Sequence, residues 1–135
     1  MSARIAVPVD DVWKLIGGFN GLPDWHPAVE ESETDGDGEG SVRKLTLAGG
    51  GTIVERLERL EDDERQYTYS ITDSPLPVSN YVATIRVRDD GDGTASLVEW
   101  SSEFQPAGVS ESDAVKVIQE IYSAGLENLK KIFGG

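Results

Sequence analysis

With 135 residues, the chain fits one domain spanning residues 1–135 and is long enough to bury a substantial core. Asp and Glu total 25 against 12 Lys and Arg, a formal charge of -13, so the field of the protein repels nucleic acid and anionic membrane surfaces. Zero cysteines and one histidine exclude disulfides, thiolate nucleophiles and metal sites built on cysteine or on several histidines.

Residues 1–10, interrupted by Pro8 and Asp10, lack the long apolar run of a secretory signal, and no later stretch approaches the roughly 20 apolar residues that span a bilayer. The expectation is a cytoplasmic protein without stable membrane association. Residues 4–7 form a short β-like run. Residues 8–18 read as a helix of about three turns, with Pro8 in the first turn, Asp10 and Asp11 near its start and Gly17-Gly18 at its exit. Val9, Val12, Trp13 and Ile16 fall on one stripe, which places Trp13 in the core. A second short helical turn covers residues 22–26 and stops at Pro27.

From there the hydrophobic period changes to two, and strands are predicted over residues 28–33, 41–47, 52–60, 65–71, 80–88 and 94–104. Short connections demand an antiparallel meander, because parallel neighbours need long crossovers. Gly49-Gly50-Gly51 is read as a hairpin, since it lacks the Lys-Ser/Thr ending of a phosphate loop. The acidic stretches 35–39 and 89–93 are likewise read as hairpin turns, each lacking the full spacing of a calcium loop. Ser110 and Asp113 then occupy the N-cap and N3 positions of a long helix reaching Phe133. Its apolar face comprises Ala114, Val117, Ile118, Ile121, Tyr122, Gly125, Leu126, Leu129, Ile132 and Phe133.

These elements set a packing problem. A curved antiparallel sheet has a concave face to fill, and only the last helix is long enough to fill it. One helix leaves part of the concavity empty, so the expected fold is α+β: a curved antiparallel sheet around a long C-terminal helix, two short helices near the N-terminus, and an internal cavity suited to a small molecule.

Alternation sorts the strands into faces. Val98, Trp100, Ser102 and Phe104 face inward, as do Tyr81, Ala83, Ile85 and Val87, and Tyr67, Tyr69 and Ile71; Arg86 and Arg88 face outward, within reach of Glu99 and Glu103. Residues 52–60 do not decide, because Ile53, Glu55, Leu57 and Arg59 alternate with Val54, Arg56, Glu58 and Leu60. Arg43 shares a phase with Leu45 and Leu47. Two readings of Arg43 and Glu55 stand side by side: both face inward and pair, because an unpaired buried charge costs several kcal/mol, or both sit at strand ends near solvent. His26 is the sole imidazole and titrates near neutrality, yet a histidine between Trp25 and Pro27 is more often a hydrogen-bonded structural residue than a catalyst. Trp25 and Trp100 are core or pocket wall.

Several segments together resemble one superfamily: Val12-Trp13-Lys14-Leu15-Ile16 with Phe19, Leu22-Pro23-Asp24-Trp25-His26-Pro27, Gly40-Ser41-Val42-Arg43, Val54-Glu55-Arg56-Leu57, Tyr67-Thr68-Tyr69-Ser70-Ile71, Pro75-Leu76-Pro77-Val78-Ser79-Asn80-Tyr81 and Val98-Glu99-Trp100. The chain resembles the START-like, helix-grip SRPBCC superfamily, in particular its bacterial polyketide cyclase/dehydrase and lipid-transport members. It is also similar to the lachrymatory-factor synthase family of plants, whose pocket holds a facing arginine and glutamate with two tyrosines. The resemblance implies that Arg43 and Glu55 are that pair and that Tyr69 and Tyr81 are those tyrosines.

Joined to the resemblance, the residues lead to a cofactor-independent, metal-free enzyme of the cyclase, dehydratase or isomerase kind. Its partner would be a small hydrophobic molecule, and the protein a monomer or weak homodimer. Glu55 would move the proton, Arg43 would be its charge partner and bind an oxyanion, and Tyr69 and Tyr81 would orient the substrate. Trp25, His26, Tyr67, Ile71, Trp100, Phe104, Ile118 and Tyr122 would contact it. The rival readings are a non-catalytic carrier or sensor of lipids, polyketides or similar metabolites, and an interaction module whose cavity is filled by side chains.

Overall fold

The computed structural model describes every residue except Asp37, Asp92 and Gly135. Strand β1 (Ser2–Ile5) leads into helix α1 (Val9–Ile16) and a short 3-10 turn, Leu22–Asp24; another, Asp62–Glu64, joins the fourth and fifth strands. Strands β2 (Val29–Asp35), β3 (Val42–Leu47), β4 (Thr52–Glu61), β5 (Gln66–Asp73), β6 (Val78–Asp89) and β7 (Ser96–Pro106) precede helix α2 (Glu111–Ile132). All seven strands form one curved antiparallel sheet in the order β1-β7-β6-β5-β4-β3-β2. The meander therefore holds for β2 to β7, while β1 returns to pair with the far edge, Ala3 opposite Val98.

The expected boundaries shift in places. The first strand lies two residues earlier than the β-like run 4–7, and the second predicted helix shrinks to the 3-10 turn. Pro8 is the N-cap of α1 and offers it no side-chain bond; Asp10 in the first turn instead holds Arg65 at 2.7 Å. Trp13 is only half buried and donates its Nε1–H to Asp62 Oδ1 at 2.6 Å, so it borders the core without lying inside it. Gly49, Gly50 and Gly51 all have positive φ, the backbone that only glycine adopts freely, and make the hairpin between β3 and β4. The central residues of the two acidic turns, Asp37 and Asp92, lie outside the described residues.

Bulges resolve the ambiguity in β4. Between Leu57 and Arg59 the register with β5 slips by one residue, which reverses the phase of the strand. Before the slip, Ile53, Glu55 and Leu57 are buried; after it, Arg59 turns to solvent and Leu60 packs against the core. On the outer face Arg88 meets Glu99 at 2.7 Å.

Helix α2 begins as its sequence dictates, with Ser110 Oγ accepting the Asp113 N–H at 3.2 Å. Ala114, Ile118, Tyr122, Gly125, Leu126 and Leu129 bury one stripe, whereas Ile132, assigned to that face from the sequence, is 44% exposed in the last turn. The helix is seated at Gly125. A Cβ there would lie 2.8 Å from His26 Cδ2, 3.0 Å from Trp25 Cζ3 and 3.1 Å from Trp100 Cζ3. Just beyond, Asn128 Nδ2 donates to the Trp25 carbonyl at 2.8 Å. Gly125→Ala must therefore lift the helix from the two indoles, and is expected to cost about 1–3 kcal/mol in urea unfolding despite the better helix propensity of alanine. An unchanged unfolding midpoint would show that the seat is loose.

Candidate functional site

On the inner face the register alone brings the two buried charges together, because Arg43 lies directly opposite Glu55 across β3 and β4. Both are buried, at 1% and 5% exposure. Arg43 donates from Nε to Glu55 Oε1 at 2.8 Å, its Nη2 stands 2.7 Å from the same oxygen as an ion pair, and its Nη1 donates to the Phe19 carbonyl at 2.6 Å. The guanidinium also stands over the Phe19 ring, 4.0 Å from its centroid, and near the Tyr69 and Tyr67 rings at 5.1 and 5.9 Å. Of the two sequence readings, pairing inside the fold is the one observed.

Both contacts from Arg43 fall on one carboxylate oxygen. Glu55 Oε2 accepts no hydrogen bond among the described residues, and Glu55 lines a cavity of about 340 Å³ between α2 and the sheet. Burial pushes the Glu55 carboxyl above the ordinary carboxylate range, and the opposing pull of Arg43 reverses only part of that rise. Burial disfavours the charge on Arg43, but Glu55 and the neighbouring tyrosines outweigh it and hold the guanidinium charged. Just beyond Glu55, β5 bulges out at Thr72, so that Glu55 faces Ile71 and the pairing resumes at Val54 and Asp73.

Four aromatic side chains continue the polar inner end. Trp100 Nε1–H donates to Tyr69 Oη at 3.0 Å, Tyr69 Oη lies 3.4 Å from Tyr81 Oη, and Tyr81 Oη hydrogen-bonds Tyr122 Oη. Trp100 stacks on Tyr122 with ring centroids 4.2 Å apart. Burial raises the pKa of all three phenols, that of Tyr122 to about 12, so they remain protonated at neutral pH and can donate. The rest of the wall is mostly apolar, including Leu45, Ile53, Ile71, Leu76, Ile118 and Ile121, and it reaches solvent beside exposed Ala48 and Glu120.

His26 also borders the cavity, yet both of its nitrogens are engaged by backbone. Nδ1 accepts the Ala28 N–H at 3.1 Å, which leaves the proton on Nε2 to donate to the Ile121 carbonyl at 2.8 Å. Burial lowers its pKa, only partly offset by the bond to Ile121. The imidazole is thus a neutral strut between α2 and the 3-10 turn segment, the structural role weighed for it from the sequence.

The structure brings Glu55, Tyr69, Tyr81, His26, Ile71, Trp100, Ile118 and Tyr122 to the cavity wall. Four expected positions stand elsewhere. Arg43, 1% exposed and held by Glu55 and the Phe19 carbonyl, is not among the residues lining the cavity. Trp25 lies beneath Gly125 and packs on Trp100, centroids 5.5 Å apart. Tyr67 lines a separate hollow with Phe19, Leu57 and Asp62, and Phe104 is half buried, stacked on Tyr81 at 6.0 Å. Sequence reasoning missed Phe19 as the clamp on Arg43 and Leu76 as a wall residue; the signal for Leu76 was an apolar residue held between two prolines. No group of three or more histidine, aspartate or glutamate side chains is placed to hold a metal among the described residues, and none of the described helices is long and apolar enough to cross a membrane.

The depressed pKa of His26 has a sign that can be measured. The unfolded chain, titrating near 6.5, binds the proton more readily than the folded one, so the contribution is complete above that value and is lost as pH falls below it. Wild-type unfolding free energy is expected to drop by up to about 1.4 kcal/mol per pH unit more steeply than that of His26→Gln between about pH 6.5 and 5. Parallel pH profiles for the two proteins would contradict a neutral buried imidazole.

Comparison with known proteins supports the same fold. The chain resembles XoxI of Bacillus cereus with a TM-score of 0.94 and 46% identity, covering 98% of this chain and 92% of that one. A protein of Bacillus thuringiensis matches with a TM-score of 0.95 and 45% identity over 100% and 97% of the two chains. In Arabidopsis thaliana the abscisic acid receptor PYL2 is 27% identical over 96% of this chain and 73% of its own length, and MLP-like protein 423 is 27% identical over 98% and 88%. The family model described as polyketide cyclase / dehydrase and lipid transport matches residues 1–134. The chain therefore belongs to the polyketide cyclase/dehydrase and lipid-transport family, within the START-like helix-grip superfamily anticipated from its sequence.

Proposed function

We propose that the chain acts as one ligand-binding domain, that it holds a small, largely apolar molecule in the cavity between α2 and the sheet, and that Glu55 exchanges a proton with it. The observation that carries this reading is the division of labour within one carboxylate: Oε1 is tied twice to Arg43, while Oε2 is unbonded in a side chain that lines the cavity. A base must hold its geometry and keep one lone pair available, and this arrangement supplies both. The pull of Arg43 favours the ionised form of Glu55 against burial and restrains one of its oxygens. An oxygen on which charge develops would meet the protonated hydroxyls of Tyr81 and Tyr122 rather than the guanidinium. Reactions consistent with these groups are cyclisations, dehydrations and isomerisations that begin with loss of a proton.

A second reading, sensing or carriage without chemistry, is favoured by the Arabidopsis relatives named as abscisic acid receptors and by the lipid-transport half of the family description. Native mass spectrometry of the protein from its own cells would identify the retained compound or its precursor. With that compound, Glu55→Gln is expected to lower turnover about 100-fold or more while binding stays within about threefold. Unchanged conversion, or no conversion by either protein, would leave carriage as the function.

A further inference from the structure

The charges around the cavity are not balanced. Its wall contains two carboxylates, Glu55 and Glu120, and neither a lysine nor an arginine. Its imidazole has both nitrogens committed to backbone partners. Arg43, the cation paired with Glu55, is held by Glu55, the Phe19 carbonyl and Tyr67 and is not among the wall residues. An anionic head group entering the inner end would face the Glu55 carboxylate with no cation to receive it, inside a protein of charge -13. A neutral group carrying an N–H or O–H, by contrast, finds an acceptor in Glu55 Oε2 and further partners among the hydroxyls of Tyr81 and Tyr122.

We propose, building on the ligand-binding reading above, that the cavity selects by charge: it takes uncharged amphiphiles whose polar end donates a hydrogen bond, and it rejects carboxylates of the same size. Glu55 is then the specificity-determining residue, because it both neutralises Arg43 and supplies the acceptor. Removing its charge leaves Arg43 as an unpaired buried cation beside the cavity, and the preference should turn toward anions.

The test uses octanamide and octanoate, which match in length and shape and differ in charge at neutral pH. Binding to the wild-type protein, followed by calorimetry and by NMR shifts of the Ile118 and Ile121 methyls, is expected to be at least about tenfold tighter for octanamide. In Glu55→Gln the ratio is expected to move at least about tenfold toward octanoate, a change that the general cost of burying a carboxylate would not produce. Should that variant fail to fold, octylammonium binding to the wild-type protein decides: affinity closer to that of octanamide than to that of octanoate upholds charge selection, and equal rejection of both ions overturns it. Octanoate binding as tightly as octanamide, or a ratio unmoved by Glu55→Gln, overturns charge selection while leaving the pocket reading intact. Failure of both probes to shift the cavity methyls overturns the pocket reading, and charge selection falls with it.

Discussion

The ion pair between Arg43 and Glu55 is the constraint on which the site depends. Two charges in the sheet interior are tolerable only when each satisfies the other and the remaining donors find acceptors. The cross-strand register places them face to face, the Phe19 carbonyl takes a third donor, and the Phe19 ring covers the guanidinium. Such a pair is weak evidence for stability, since well-packed apolar residues often serve as well. Its value lies in orientation: the loop carrying Phe19, strand β3 and strand β4 converge on one group, and the outcome is a carboxylate with one oxygen restrained and one free of hydrogen bonds among the described residues.

The cavity beside that oxygen follows from how the helix is seated. Around Gly125 the backbone of α2 approaches Trp25, His26 and Trp100 too closely for any side chain, and His26 and Asn128 fasten it there through hydrogen bonds. One to two turns earlier, Val117, Ile118 and Ile121 line the open volume between helix and sheet. A helix held this closely at Gly125 leaves the concavity open along the turns that line the cavity. The tyrosine hydroxyls at the junction turn what would otherwise be a dry apolar gap into a site with polar direction.

Much of this was legible in the sequence. Alternation placed Tyr69, Tyr81 and Trp100 inward, and helical spacing placed Ile118 and Tyr122 opposite them, because period and face are local properties of the chain. The phase of β4 was not legible, because the slip after Leu57 is set by pairing with β5 and not by any residue within β4. Charges in phase with leucines left two readings of Arg43 and Glu55 open, pairing inside or strand ends near solvent, and the pairing observed is completed by the Phe19 loop, a contact 24 positions away in the chain. Tyr67 and Phe104 share faces with true wall residues but stand where the sheet is already covered, by Phe19 and Tyr81 respectively. Alternation reports the face of a strand, and it does not report how far along that face the cavity extends.

All of the functional reading passes through the state of one carboxyl group, so the direct measurement is the titration of Glu55 by carbon-13 NMR of its side-chain carboxyl in the folded protein. The account predicts a titration above the ordinary value of 4.5, raised by burial against the opposing pull of Arg43. A titration at or below 4.5 would mean that the pair is an ordinary satisfied salt bridge with no capacity to take a proton, and would contradict the role assigned to Glu55.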